Sequence, residues 1–316
     1  MVRVLAGLAI SAAGLWWAFR STDWPAVGAA MQGANPWLLA LSATLLLAAL
    51  PVRGHRWGLF LRPFKRVPVR MTSEATVIGY FGNNVLPLRM GEIVRAYFLG
   101  KRAGLGISKV IGTIILERVL DMLTVVLLLL LAPLVAYIPP ELSGSAKIAG
   151  AMGLLLAVLT WWASNTGNVN WVPEKLRAVA ENVRSGFASI RRRETVVPMF
   201  AGTAIIWAFY LASFYAALAA MGLQLSPAET YSLFVATTVV VAIPAAPGFI
   251  GTYHAMVIFM LVNVMGNELG QAQAAAVMLH AIGFLPYTLI GATLYFRSHI
   301  RLRAVMSQAA QEQDTR

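Results

Sequence analysis

Six ionisable side chains lie within or beside long apolar stretches of the sequence. They form two groups, Arg89, Glu92 and Arg95 in the first and Glu117, Arg118 and Asp121 in the second. An ionisable group inside a membrane costs at least about 2.5–3.5 kcal/mol on the insertion scale, so such residues need partners and mark a site or a pathway. The groups carry net charges of +1 and −1, and they can neutralise one another if the fold brings them together.

Two interpretations of the first group stay open from the sequence. In one, the charges form a structural network that holds this segment against the helix carrying the second group. In the other, Arg89 and Arg95 bind a phosphate, because guanidinium groups match phosphate oxygens bidentately, and the helix predicted after Gly91 adds its N-terminal dipole. Uncharged hydrogen-bonding side chains lie just upstream: Tyr80, Asn83 and Asn84.

Proline and glycine interrupt two of the apolar segments. The first break contains Pro87 and Gly91, and the second contains Pro244, Pro247, Gly248 and Gly251. A proline inside a helix removes a hydrogen bond and clashes with the preceding turn. Non-helical backbone at membrane depth is tolerated only where it is buried in protein or lines a polar cavity. The sequence therefore predicts two re-entrant, broken hairpins, at Ala75–Leu88 and Tyr231–Val262.

Histidine adds a second candidate chemistry. His254 is the only ionisable group predicted beside the second break, and His280 stands alone in the last apolar stretch. A lone histidine in a membrane helix is either a hydrogen-bonding group between helices or a proton carrier, and both interpretations stay open for His254. The sequence has no cysteine and only four scattered histidines, so we expect no metal site. No GxxxxGK[ST] motif is present either, and we expect no cofactor.

The composition defines the elements that must position these residues. Of 316 residues, 59% are hydrophobic and 12% are charged, about half the charged fraction of a soluble domain. An ordinary water-soluble globule is therefore excluded, and the prediction is an all-α, polytopic membrane helix bundle. A spanning helix needs about 20 mainly apolar residues. Six stretches meet or approach this length: Val2–Phe19, Pro36–Val52, Ile107–Leu131, Ile148–Ala163, Val197–Met221 and Ala272–Phe296.

The net charge of +12 is interpreted as a topology signal rather than as nucleic-acid binding. Basic residues concentrate in the segments 53–74 and 164–196 and in the C-terminal tail. The other connecting segments are nearly neutral or acidic: 20–35, 133–147, 222–229 and 263–271. Because Lys and Arg collect in cytoplasmic loops, both termini are predicted to be cytoplasmic. In this assignment Arg53 and Arg56 belong to a cytoplasmic loop.

An internal repeat is predicted from the two breaks. Pro-x-x-x-Gly occurs at 87–91 and at 247–251, an offset of 160 residues. Each half then consists of span, span, hairpin and span in opposite orientations, a recurring plan of secondary transporters, although two short patterns can also coincide by chance. The predicted halves are about 1–138 and 146–297, within one transmembrane domain of 1–306. Residues 307–316 are predicted to be a disordered polar tail.

The segment 173–193 reads as an amphipathic helix with basic residues outside its apolar stripe. Such a helix suits the anionic phospholipid headgroups of the cytoplasmic face. Packing against the cytoplasmic side of the bundle itself would explain the pattern equally well, and the sequence does not separate the two.

Three motifs resemble the lysylphosphatidylglycerol synthase transmembrane, or flippase-like, family. They are NNVLPLRMGEIVRA at 83–96, ERVLD at 117–121 and PGFIG at 247–251. The first is specific, and the resemblance covers nearly the whole chain. It implies a multi-pass protein of the bacterial inner membrane that moves a lipid between leaflets, in a family linked to aminoacylated phospholipids, hopanoids and polyprenyl-linked glycolipids. Many members carry Glu where this sequence has His254, so ion coupling or substrate is expected to differ here.

The sequence-based hypothesis is a transporter-like lipid translocase rather than an enzyme. Arg89 and Arg95 would bind the headgroup, while Glu92, Glu117, Arg118 and Asp121 position them and respond to protons or cations. The alternatives are a membrane-embedded lipid-modifying enzyme and a non-catalytic scaffold for lipid-biosynthesis enzymes. A homo-oligomer stays open. The lipid, the direction of movement and the coupling ion are not given by the sequence.

Overall fold

A computed structural model of the chain describes residues 2–86, 90–135, 193–242 and 247–298, together with the single positions 151, 177 and 181. This part of the chain is helical and contains no strand. We number its α-helices α1 to α10 in chain order: α1 Val2–Phe19, α2 Trp24–Gln32, α3 Pro36–Leu61, α4 Val69–Val85, α5 Gly91–Ala103, α6 Ile107–Val135, α7 Arg193–Ala220, α8 Pro227–Ala242, α9 Thr252–Phe259 and α10 Leu269–Arg297. Helix α9 continues directly into a π-helical turn, Met260–Val264.

Local sequence signals account for several helix ends. The Asp23 and Asn35 side chains accept hydrogen bonds from backbone N–H groups in the first turns of α2 and α3, and Pro occupies an N-terminal position in both helices. Such caps satisfy donors that have no partner inside the helix. Helix α5 ends at Gly104, whose φ of 65° lies in the left-handed region that glycine adopts without steric cost.

Four helical stretches within the described ranges are long and apolar enough to cross a membrane: Pro36–Leu61, Glu194–Ala220, Pro247–Val264 and Leu269–Arg297. Three of them overlap predicted spans over nearly the whole length of those spans, and the third of the four lies largely within the predicted hairpin Tyr231–Val262. Helices α1 and α6 cover two further predicted spans. The predicted span Ile148–Ala163 and the predicted helix 173–193 lie outside the described residues, apart from single positions. The all-α membrane bundle expected from composition is confirmed.

The helices of the two halves correspond in length and in packing. Helices α3 and α7 have 26 and 28 residues, α4 and α8 have 17 and 16, and α6 and α10 have 29 each. Helix α3 packs on α7, while α4 packs on α10 and α8 packs on α6. This exchange of partners is what a two-fold relation between the halves produces, and it supports the repeat predicted from the two breaks.

The two breaks meet inside the bundle. Helix α4 ends at Val85 and α5 begins at Gly91, while a short 3-10 turn, Pro247–Phe249, precedes α9. Helix α4 contacts this turn directly, and a Cβ atom on Gly248 would lie 3.6 Å from the Asn84 carbonyl oxygen. Residues 87–89 and 243–246, which include Pro87, Arg89 and Pro244, lie outside the described residues.

Glycine makes the close approach of α4 and α5 sterically feasible. A Cβ atom on Gly91 would overlap the Gly79 carbonyl oxygen and lie 2.5 Å from the backbone nitrogen of Asn83. Backbone atoms cannot move aside as a flexible side chain can, so this position admits no larger residue without separating the two helices.

We expect Gly91→Ala to destabilise the protein by about 1–3 kcal/mol or more, the usual cost of overpacking. Thermal unfolding of the purified protein, followed by tryptophan fluorescence, measures the effect. The matched control is Gly28→Ala in α2, where an added Cβ meets nothing within 4 Å. Equal melting temperatures for the two variants would contradict this account of the α4–α5 contact.

Candidate functional site

Among the described residues of the first half, seven ionisable side chains form one cluster, which we call the ion cluster. Its members are Arg53 and Arg56 of α3, Glu92 and Arg95 of α5, and Glu117, Arg118 and Asp121 of α6. The cluster therefore contains four arginines and three carboxylates. Arg53, Arg56, Arg95, Glu117 and Asp121 are all buried, with 0% to 9% of their surface exposed.

Glu117 lies at the centre of the ion cluster. Its Oε2 atom is paired with Arg95 Nη2, and its Oε1 atom lies 3.0 Å from Arg53 Nη2 and 3.4 Å from Arg56 Nη2. Asp121 follows one turn later on the same helix face. It accepts hydrogen bonds from Arg53 at 2.5 Å and from Arg56 at 2.6 Å. Two carboxylates thus neutralise most of the charge of three buried guanidinium groups.

The assignment of Arg53 and Arg56 to a cytoplasmic loop is wrong. Helix α3 continues to Leu61 rather than ending at Val52, and it carries both arginines into the bundle. Local hydropathy assigns the two arginines to a loop because it does not show that the carboxylates of α6 neutralise them. Beyond the acids of α6, Arg56 donates to Thr203 Oγ1 at 3.1 Å and Arg53 to the Tyr210 hydroxyl at 3.1 Å.

Arg95 is held on all sides by the protein. Its guanidinium carbon lies 4.3 Å from the centroid of the Trp57 ring, a favourable cation–π arrangement. The Trp57 indole N–H in turn donates to Thr113 Oγ1 at 3.0 Å. Opposite Arg95, Gly79 leaves room for the side chain, because a Cβ atom there would lie 2.9 Å from Arg95 Cδ. The structure therefore places Arg95 inside the ion cluster.

The two groups of charges identified in the sequence do meet. Glu92 lies 3.5 Å from Arg95 Nε and 3.3 Å from Arg118 Nε, and Arg118 Nη1 lies 3.6 Å from Asp121. Glu92 also accepts a hydrogen bond from Asn83 at 3.4 Å. The predicted contact between the groups is present, with Arg53 and Arg56 as additional members that the sequence reasoning missed. Arg89 lies outside the described residues.

A cavity of about 500 Å³ adjoins the ion cluster and receives side chains from both halves. Arg53, Arg118 and Asp121 line its charged end. Apolar side chains line much of the remainder, among them Met122, Val125, Phe214, Phe234, Leu279 and Ile282. A cavity with one charged end and long apolar walls fits an amphiphile better than it fits a water-soluble solute.

Three side chains that line this cavity have donor atoms without a hydrogen-bond partner within the described part of the chain: Arg53, at Nε alone, and Arg118 and Trp207. Arg118 makes only the ion pairs given above, and neither its Nε nor its Nη2 atom forms a hydrogen bond; the Trp207 indole N–H is also unpaired. Both side chains line the cavity, and Arg118 keeps 33% of its side chain exposed. Buried polar groups normally find partners, so an anionic or hydrogen-bond-accepting ligand would suit this pair.

The uncharged residues of the first break occupy different places. Tyr80 lines the cavity, and its ring centroid lies 4.8 Å from that of Tyr287 on α10. Asn84 donates to Thr288 Oγ1 at 2.7 Å and ties α4 to α10. Of the three candidate residues of this break, only Tyr80 lines the cavity, whereas Asn83 serves the ion cluster.

His254 and His280 are not isolated from one another. Their ring centroids lie 4.7 Å apart, because α10 returns beside α9 and brings the two residues together from 26 positions apart in the chain. The expectation of a lone histidine at the second break is therefore wrong. Spacing in the sequence could not show the pairing, since it depends on the packing of two separate helices.

We expect Glu117→Gln to destabilise the protein by about 3–5 kcal/mol, because it leaves three buried arginines with one carboxylate partner fewer. Thermal unfolding in detergent measures the loss. Glu74→Gln is the matched control, since Glu74 pairs with the exposed Arg70 and Arg102, and an exposed ion pair contributes only about 0–1 kcal/mol. Similar losses in both variants would mean that the ion cluster is not a buried, interdependent network.

The fold and the site together define a class of protein. Apolar helices long enough to cross a membrane, arranged as two similar halves around a buried ion cluster and an amphiphilic cavity, make this chain an integral, polytopic α-helical membrane protein. More narrowly, the chain belongs to the family of the lysylphosphatidylglycerol synthase TM region, whose model matches residues 4–291. The resemblance drawn from the three motifs is confirmed.

The chain is similar to proteins of archaea, two of which are named as membrane proteins. A UPF0104 membrane protein of Methanocaldococcus jannaschii is 23% identical over 222 residues, covering 68% of this chain and 93% of that protein. A UPF0104 membrane protein of Methanothermobacter thermautotrophicus is 23% identical over 304 residues, covering 86% and 89%. The glycosyltransferase AglD of Haloferax volcanii is 30% identical over 125 residues, which cover 39% of this chain and 20% of AglD.

Proposed function

We propose that this protein binds a membrane lipid in the cavity beside the ion cluster and moves it between leaflets. The observation that carries the proposal is the cavity itself, with Arg118 and Trp207 as unpaired donors at an otherwise largely apolar site. A phosphate-bearing headgroup would accept hydrogen bonds from these donors, and the hydrocarbon chains would contact the apolar walls or the surrounding lipid.

In this proposal the buried residues of the ion cluster position Arg118 rather than bind lipid themselves. Arg53, Arg56 and Arg95 are paired with Glu117 and Asp121 and leave only Nε without a hydrogen bond. Arg118 leaves both Nε and Nη2 without one. The proposal therefore gives the headgroup-binding role to Arg118, whereas the sequence-based hypothesis gave it to Arg95. Four arginines against three carboxylates leave one positive charge in excess among the described residues, which favours an anionic headgroup over a neutral one.

The cavity receives residues from both halves, so movement of one half against the other would change its access. Arg118 and Asp121 come from the first half, and Trp207, Phe234 and Tyr253 come from the second. Rocking of two repeats around a fixed central site is the usual form of alternating access. We propose that the broken segments are re-entrant hairpins that form the moving boundary between the halves.

The experiment uses purified protein in liposomes that contain fluorescent phosphatidylglycerol, whose transbilayer movement is followed by quenching of the outer leaflet. We expect Arg118→Gln to slow exchange by about 10- to 100-fold, because losing a charge-assisted hydrogen bond costs about 1.5–3 kcal/mol and about 1.4 kcal/mol corresponds to tenfold. Arg70→Gln is the matched control, since the Arg70 side chain is 90% exposed and lies outside the cavity lining.

Each other outcome has a defined meaning. Wild-type protein that accelerates exchange no more than empty liposomes, across anionic and zwitterionic lipids, rejects the translocase. Exchange that is equal in Arg118→Gln and Arg70→Gln rejects the binding role of Arg118. A covalently altered fluorescent lipid indicates a lipid-modifying enzyme, and neither exchange nor alteration favours a scaffold for lipid-biosynthesis enzymes.

We further propose that the protein lies in the bacterial inner membrane with both termini in the cytoplasm. Residues Asp23, Asn35, Gly222 and Glu268 line one polar cavity of about 750 Å³ at one end of the bundle, whose lining contains acidic side chains and no Lys or Arg. Basic residues instead occupy the loop between α3 and α4 and the C-terminal turn of α5. Because Lys and Arg mark cytoplasmic loops, the acidic end would face outward.

The absence of native cysteine permits a direct test of this orientation. We expect Gln224→Cys to react with a membrane-impermeant maleimide in intact spheroplasts, and Arg66→Cys to react only after permeabilisation. Both positions are exposed, so unequal burial does not explain a difference. The reverse pattern would invert the topology.

A further inference from the structure

The second break is held by two histidines and unusual backbone geometry. Gly248, Phe249 and Gly251 have φ values of 67°, 57° and 96°, a region that is uncommon for Phe and stores strain. His280 Nε2 lies 2.7 Å from the Gly248 carbonyl oxygen, and the Gly251 N–H donates to His254 Nδ1 at 3.4 Å. The two rings therefore form hydrogen bonds to the two ends of the segment 248–251, which we call the turn.

These hydrogen bonds define the protonation of each ring. A carbonyl oxygen only accepts, so His280 must carry its proton on Nε2. A backbone N–H only donates, so His254 must have a bare Nδ1 atom. In this arrangement Nδ1 of His254 is already occupied as an acceptor. A proton added to that atom would place two donors face to face and break the hydrogen bond to Gly251.

In the described part of the chain, the groups that surround the pair are aromatic rings and backbone rather than charged side chains. The helices that pack on α9 contribute the Phe19 ring from the C-terminal end of α1, and His280 and Phe284 from α10. Tyr253 of α9 also contacts both histidine rings. The acid of α8, Glu229, bonds instead to Ser226, and within the described residues neither histidine contacts a carboxylate, lysine or arginine.

We propose that His254 and His280 form a proton-binding site that controls the conformation of the second break. The described arrangement fits the neutral pair. Uptake of one proton from water at Nδ1 of His254 removes the Gly251 hydrogen bond, and this loss favours release of the turn. Tyr253 lines the lipid cavity and touches both rings, so release of the turn would alter the cavity wall. This consequence rests on the proposed function, whereas proton binding does not.

The test measures the mobility of the turn as a function of pH. A nitroxide label is attached at Ile250→Cys, the sole cysteine of that variant, at a residue of the turn that is 39% exposed. Electron paramagnetic resonance spectra are recorded from about pH 8 down to about pH 3.5, a range that extends well below the ordinary titration of imidazole. We expect the label to become more mobile at low pH, and we expect His254→Gln and His280→Gln each to remove the change. His55→Gln, at an exposed histidine of α3, should retain it.

The proposal is overturned if the wild-type spectrum does not change with pH, or if the change persists in both histidine variants. Two separate variants guard against misfolding of one of them, and gel filtration checks each. The spectra need no lipid movement, so the failure of the proposed translocase and the failure of the proton site are distinguishable. In liposomes that exchange lipid, wild-type exchange should depend on pH and that of His254→Gln should not.

Discussion

Neutralisation of Glu117 and Asp121 by arginines from other helices is the interaction on which the first half of the bundle depends. A carboxylate buried in the bundle without a partner would have no water to solvate it. Burying an unpaired guanidinium group would have a similar desolvation free energy. Each helix can therefore occupy its place only when the others do. Helix α3 supplies Arg53 and Arg56, α5 supplies Arg95, and α6 supplies both acids. The network specifies how three helices pack where apolar side chains alone would allow many arrangements.

The two halves have helices of corresponding length but differ in the ionisable side chains that these helices carry. Arg118 and His280 are each the twelfth residue of a 29-residue helix, α6 and α10 respectively. In the first half this position belongs to a network of charges, whereas in the second it faces another histidine across 4.7 Å. The same place in the architecture thus carries a fixed charge on one side and, on the other, a histidine that can exist in a neutral or a charged form. This arrangement fits the proposed binding of an anion on one side and the proposed response to protons on the other.

The sequence predicted the helical class, three of the four stretches able to cross a membrane, and the meeting of the charged groups around Glu92 and Glu117. These features follow from local composition and from the rule that buried charges need partners. The end of α3 and the pairing of His254 with His280 were mispredicted for one physical reason. The partners of Arg53 and of His280 lie on other helices, far away in the chain. A single sequence does not show which helices pack together, so Arg53 was assigned to a loop and His280 was taken as isolated. Trp207 carried no signal at all, because only the cavity distinguishes it from other membrane tryptophans.

The two breaks differ in what would be needed to open them. At the first break, Gly91 lies against the backbone of α4, and Glu92, one residue later, pairs with Arg95 and Arg118. Opening it would separate charges inside an apolar bundle, at a cost of several kcal/mol for each ion left unpaired. At the second break, neutral hydrogen bonds from two histidines hold a strained turn, and each contributes only about 0.5–1.5 kcal/mol. A conformational change that uses one break as a hinge would therefore occur at the second, with the ion cluster as the fixed side against which it moves.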